Sequence, residues 1–159
     1  MPKQVINNKS NNIFLKEVSL SLLAEGKSLR IKPTGYSMFP AIRPGNIVII
    51  DPVDSPSDLI PGNIIAFRRD SGFVLHRLTD IRHRDDNIFF ITRGDSSMNE
   101  DKPITADKIS GVVTAIETKQ GKIKPHRHKV HYGRNRLMVR LINLLNKLLR
   151  IIRLNSCNS

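Results

Sequence analysis

Hydrophobic and polar positions change period twice along this chain. Between Ile13 and Ala24 the apolar residues Phe14, Leu15, Val18, Leu22 and Leu23 recur at helical spacing. Asn12 is a good N-cap and Gly26 a good stop, so the spacing predicts a helix over 13–24. From Leu29 the pattern shortens into apolar, β-branched runs: Leu29–Lys32, Ile47–Asp51, Ile64–Arg68, Phe73–Asp80, Asn87–Thr92 and Ile109–Glu117. Pro44-Gly45-Asn46 and Pro61-Gly62-Asn63 each read as a turn opening a strand, and Arg82–Asp86 as a charged turn between two strands. Such strands, without helices between them, predict a mainly β domain whose antiparallel or mixed sheet is curled or barrel-like. Past Gly133 the helical period returns. Leu137, Met138, Leu141, Leu144, Leu145, Leu148, Ile151 and Ile152 cover most of a helix over 134–154, and Arg136, Arg140, Asn143, Lys147 and Arg150 form one stripe along it.

Charge divides the same chain. Residues 1–117 hold 15 Lys+Arg against 14 Asp+Glu, whereas residues 118–159 hold 11 Lys+Arg and no acid. The expected organisation is a polar, Asn-rich, disordered 1–11, a balanced domain over 12–117 and a basic tail over 118–159. A cationic tail on a neutral body points to a polyanionic partner. An anionic membrane surface is the favoured partner, because the tail helix joins a wide apolar face to a cationic stripe without any acid. Burial of the same leucines against protein, within the chain or in a dimer, is the alternative. Nucleic acid ranks last, since Tyr132 is the tail's one aromatic and offers little stacking. His126, His128 and His131 lack nearby Cys or carboxylate ligands, which argues against a structural zinc.

With 159 residues a single core-bearing domain is expected. There is no run of eighteen apolar residues, and the first residues lack a signal peptide's apolar stretch. Cys157 is the lone cysteine, so no intrachain disulfide forms. These features lead us to expect a cytoplasmic chain, peripheral on the inner face of the membrane if the tail helix binds there.

Three segments carry candidate chemistry. Gly35-Tyr36-Ser37-Met38-Phe39-Pro40 places a serine on a sharp turn. Phe73-Val74-Leu75-His76-Arg77-Leu78 places an imidazole in a strand, where alternation sets Val74, His76 and Leu78 on one face and Leu75 and Arg77 on the other. Thr92-Arg93-Gly94-Asp95-Ser96-Ser97 supplies one acid, with Glu100 and Asp101 following. A serine hydroxyl is a weak nucleophile until a base takes its proton, and that base needs an orienting acid. Hydroxyl, imidazole and carboxylate in that order are the parts of a serine hydrolase, and an amide at or near Ser37 would supply an oxyanion donor. Each residue has a plainer reading too: Ser37 as a turn residue, His76 as a core histidine bonded to a carbonyl, Asp95 as an Asx turn, Glu100 and Asp101 as solvated loop acids.

Gly-x-Ser-Met-x-Pro, Pro-Gly-Asn-Ile-Ile-Ala-Phe-Arg, Val-Leu-His-Arg-Leu, Arg-Gly-Asp and Ile-Ser-Gly-Val-Val, in that order over about Leu29 to Glu117, resemble the signal peptidase I-like superfamily of serine peptidases. That superfamily also holds the self-cleaving LexA-type repressor domains. The resemblance implies Ser37 as nucleophile and His76 as base, where most bacterial members have lysine. It implies Asp101 as the catalytic acid and Asp95 as the neighbouring Gly-Asp aspartate. Met38 and Tyr36 then border the substrate. The family's usual Gly-Asp is Gly45-Asn46 and Gly62-Asn63 here. The expected activity is cleavage of a leader or precursor peptide, without cofactor or metal, by a small relative that has no N-terminal anchor. The alternatives are a non-catalytic peptide-binding module of the same fold and a LexA-type regulator. A regulator is disfavoured because no helix-turn-helix or Ala-Gly self-cleavage segment precedes the serine.

Overall fold

The computed structural model describes residues 21–69, 72–126 and 132–156. Seven strands form one sheet: β1 (Leu29–Ile31), β2 (Ile47–Asp51), β3 (Ile64–Arg69), β4 (Gly72–Arg84), β5 (Asn87–Arg93), β6 (Ile109–Thr118) and β7 (Gly121–Ile123). Their order is β1-β2-β6-β3-β4-β5, with β7 paired to β6, and every pair is antiparallel. The six predicted strands are all present. β4 runs on to Arg84, so the charged turn narrows to Asp85-Asp86, with Asp85 in the left-handed region at φ 52°. β7, a short exposed hairpin partner for the end of β6, was not expected: Gly121-Lys122-Ile123 carries too little apolar signal. Residues 21–24 end a helix as predicted. The rest of that helix and the disordered stretch expected over 1–11 lie outside the described residues.

The two Pro-Gly-Asn turns fold alike, and for the same reason. Gly45 and Gly62 take φ of 92° and 101°, which suits glycine after proline in a type II turn. The Asn46 and Asn63 side-chain oxygens accept from the backbone N–H of Arg43 and Ile60, each at 2.9 Å. A carboxylate would accept the same bond, so asparagine in place of aspartate changes the charge of these turns and keeps their geometry.

Strand alternation builds two cores, one on each face of the central strands. Ile64 and Ala66 of β3 pack with Val48, Ile50, Val113 and Ile116. Ile65 and Phe67 pack on the other face with Leu78, Phe90 and Ile104. A strand buried on both faces reads as a continuous apolar run, as Ile64-Ile65-Ala66-Phe67 does. β4 alternates as predicted: Phe73 and Leu75 join the first core, Val74 and Leu78 the second.

The final element is a helix over Tyr132–Ser156. Its Leu137, Met138, Leu141, Leu144 and Leu145 are 42–58% exposed, so this leucine face is not buried against the sheet. Its first turn is docked through buried Asn135. Among the described residues, no helix is long and apolar enough to cross a membrane.

Candidate active site

Residues from four parts of the chain converge at one end of β4 and β5. Ser37 is exposed on the turn after β1, and that turn is anchored by its neighbours. Met38 is 4% exposed and sits in the first core with Ile42, so it acts as a root of the turn and not as an open wall. Tyr36 is half-buried. Ser96 clasps the turn from the other side: its N–H donates to the Ser37 carbonyl at 2.9 Å, and its hydroxyl to the Tyr36 carbonyl at 2.7 Å.

Gly94 lets that clasp close. A Cβ at this position would stand 2.8 Å from the Ser37 carbonyl oxygen, 2.8 Å from Ser97 Oγ and 3.1 Å from His76 Nε2. Any side chain here would therefore push the serine turn away from the imidazole. The same contact places His76 Nε2 and the Ser37 backbone around one point. Among the described residues no hydrogen bond joins the Ser37 hydroxyl to His76, a separation common in serine sites without substrate.

His76 is 7% exposed and lies opposite Ile65 in the β3–β4 ladder, on the face of the second core. Its ring meets Phe67 edge-on, 6.2 Å between centroids at 64°. Nδ1 lies 2.5 Å from Asp101 Oδ2. A carboxylate can only accept, so Nδ1 carries the proton and Nε2 keeps its lone pair on the side of the serine turn.

Asp101 is placed by the edge of β5. Its N–H donates to the Thr92 carbonyl at 2.8 Å, and three residues on Ile104 bridges to Phe90. Thr92 Oγ1 donates to Oδ2 at 2.7 Å, and Arg69 Nη2 to Oδ1 at 2.6 Å. Burial is the largest single influence on this carboxyl and pushes its pKa up. The hydrogen bonds from His76, Thr92 and Arg69, with the attraction of His76, together outweigh it and hold the pKa at about 2. Asp101 is thus ionised at neutral pH.

Asp95 does something different. It is 1% exposed, and both its oxygens are taken by Arg77, from Nε at 2.8 Å and Nη2 at 2.7 Å. Arg77 Nη1 donates to the carbonyls of Gly62 and His126, each at 2.8 Å. The Asp95 carbonyl accepts from Asn135 Nδ2 at 3.0 Å. Asp95 therefore fixes the 94–97 turn from behind, on the face of β4 away from His76. Glu100 reaches toward Arg82 at 3.6 Å.

Several residues of this site have no role assigned from the sequence. Arg77 could have been found: an arginine alternating with core positions needs a buried acid. Thr92 sits in the fifth predicted strand and Ser96 in the Arg-Gly-Asp-Ser-Ser stretch, but nothing local marks what they hold. Arg69 and Asn135 reach the site only through the fold. His128 and His131 lie outside the described residues, as do the side chains of Leu148, Arg150, Ile151 and Ile152.

A mainly antiparallel β domain carrying a serine turn against a His–Asp pair is the class that fold and geometry define. Comparison with known proteins adds a distant relationship. The chain is similar to signal peptidase I W of Bacillus subtilis (strain 168), 26% identical over 83 residues. The match covers 51% of this chain and 44% of that relative, so the chain spans less than half of its length. No protein-family model matches the chain, and no solved structure does.

Proposed function

We propose that this protein is a serine endopeptidase of signal-peptidase type that cleaves an extended leader or precursor peptide. The observation that carries the reading is His76: Nδ1 on a partly buried, ionised aspartate and Nε2 facing the serine turn across a glycine. Ser37 Oγ attacks the scissile carbonyl carbon while His76 Nε2 takes the hydroxyl proton. Asp101 holds the imidazole in the tautomer that can accept that proton, and stabilises the imidazolium that results. The Ser37 amide makes no hydrogen bond among the described residues and serves the oxyanion. The imidazolium then gives its proton to the leaving amine, and an ester remains on Ser37. Water hydrolyses that ester, with His76 again as base. The step needs no metal or cofactor. Asp95 is a positioning residue acting through Gly94 and Ser96, and Tyr36 borders the substrate while Met38 holds the turn beneath it. The relationship to a signal peptidase supports this reading.

The C-terminal helix fits a place for that reaction at an anionic membrane surface. Its exposed leucines share the helix with exposed Arg136, Arg140 and Lys147. A chain ending after Arg136 keeps the Asn135 contact and tests this part. It should cleave a soluble peptide normally and no longer sediment with anionic vesicles.

Mass spectrometry of candidate precursor peptides, incubated with wild type and Ser37→Ala, tests the activity. Cleavage by wild type alone supports the proposal. Saturable binding by both proteins without cleavage would leave a peptide-binding module of the same fold.

A further inference from the structure

A cavity of about 720 Å³ opens beside the serine turn, and neither Ser37 nor His76 lines it. Its three walls are residues 40–46, the β6–β7 turn with Ile123, and the first turn of the C-terminal helix, and Arg77, Asp95 and His126 also line it. Each wall contributes one cation, namely Arg43, Lys119 and Arg134. Among the described residues, no hydrogen bond or ion pair involves the side chain of any of the three. Asp95 is the acid that touches the cavity, and Arg77 already occupies both its oxygens. The lining therefore has three uncompensated positive charges.

We propose that this cavity binds a phosphate ester. Like charges brought to one concavity repel each other unless an anion fills it. Two guanidinium groups and an ammonium suit a phosphoryl group, which accepts forked bonds from arginine and a point contact from lysine. The helix N-terminus adds partial positive charge on the same side. Inorganic phosphate alone would leave most of the space empty, since the volume falls in the range of small-molecule sites. Pro44 and Ile123, the latter 44% exposed, give an apolar wall for the organic part of an ester. A glycerophosphate unit, free or as the headgroup of an anionic lipid, has this combination. The site stands on its own lining and does not depend on the peptidase reading.

Titration calorimetry of the full chain at low salt with glycerol 1-phosphate and inorganic phosphate is the test. Wild type should bind the ester saturably and more tightly than inorganic phosphate. Arg43→Gln/Lys119→Gln/Arg134→Gln should weaken ester binding by about tenfold or more, the size of one lost charge-assisted bond. The control Lys32→Gln/Arg84→Gln/Lys108→Gln removes the same charge at exposed positions outside the cavity and should leave ester binding nearly unchanged. Equal loss in both triples would overturn the proposal in favour of diffuse attraction, and so would an unsaturable wild-type isotherm. Lys119→Gln alone, on an exposed turn, gives the same reading in smaller measure should the triple fail to fold. Displacement of the ester by phosphatidylglycerol vesicles assigns the site to a lipid headgroup; retention assigns it to a soluble phosphate ester.

Discussion

His76 and Arg77 are adjacent in β4, each pairs with an aspartate, and the two pairs differ in almost every other respect. On one face, His76 and Asp101 form a pair with an open end: Nε2 looks out past Gly94 toward an exposed serine. On the other, Arg77 and Asp95 form a buried bidentate pair, and the arginine's Nη1 donates to two backbone carbonyls. Strand alternation alone sends the neighbours to opposite cores. What differs is the number of unused atoms. A base with a free lone pair at a surface can exchange a proton, whereas a bidentate buried pair can only hold a backbone in place.

Asp101→Asn breaks the comparison hardest. Asparagine can present an N–H to Nδ1 and favour the wrong tautomer, so kcat should fall by roughly 10³–10⁴ while the fold persists. Peptide turnover alongside circular dichroism measures both. Near-normal turnover would move His76 to the same structural role as Arg77.

Asp95→Ala tests the face of the buried bidentate pair and should appear first as lost stability. Removing one partner of a buried ion pair costs about 3–5 kcal/mol, which chemical denaturation reads directly. A variant as stable as wild type would mean that the pair does not brace the 94–97 turn.

Asn135→Ala sharpens the link between the buried bidentate pair and the C-terminal helix. Loss of its bond to the Asp95 carbonyl should cost about 1–2 kcal/mol, less than Asp95→Ala. Hydrogen exchange should then rise in the helix's first turn and not in β3.

The last effect is confined to acid. Asp101 ionises at about 2 in the folded protein against 3.8 ordinarily, so the folded state binds fewer protons than the unfolded one between those values. The stability this gives is present above about pH 4 and is lost as pH falls toward 2. Asp101→Asn should show a flatter acid limb over that window, and parallel curves for the two proteins would contradict the pairing.

The sequence by itself determined the strands, the turns and the order of the chemical groups, because each rests on neighbours along the chain. Alternation in Val74–Leu78, proline and glycine before Asn46 and Asn63, and a serine between Gly35 and Pro40 are all local signals. It also divided the neutral body from the basic helix. It could not choose among Asp95, Glu100 and Asp101, which lie within a few residues of one another. Only the tertiary structure made that choice, since pairing depends on which face each carboxylate meets across β4 and β5. The roles of Arg69, Ser96 and Asn135, and the meeting of Arg43, Lys119 and Arg134 around one cavity, were decided there as well. Those contacts span tens of residues, and no local pattern records a partner that folding alone brings near.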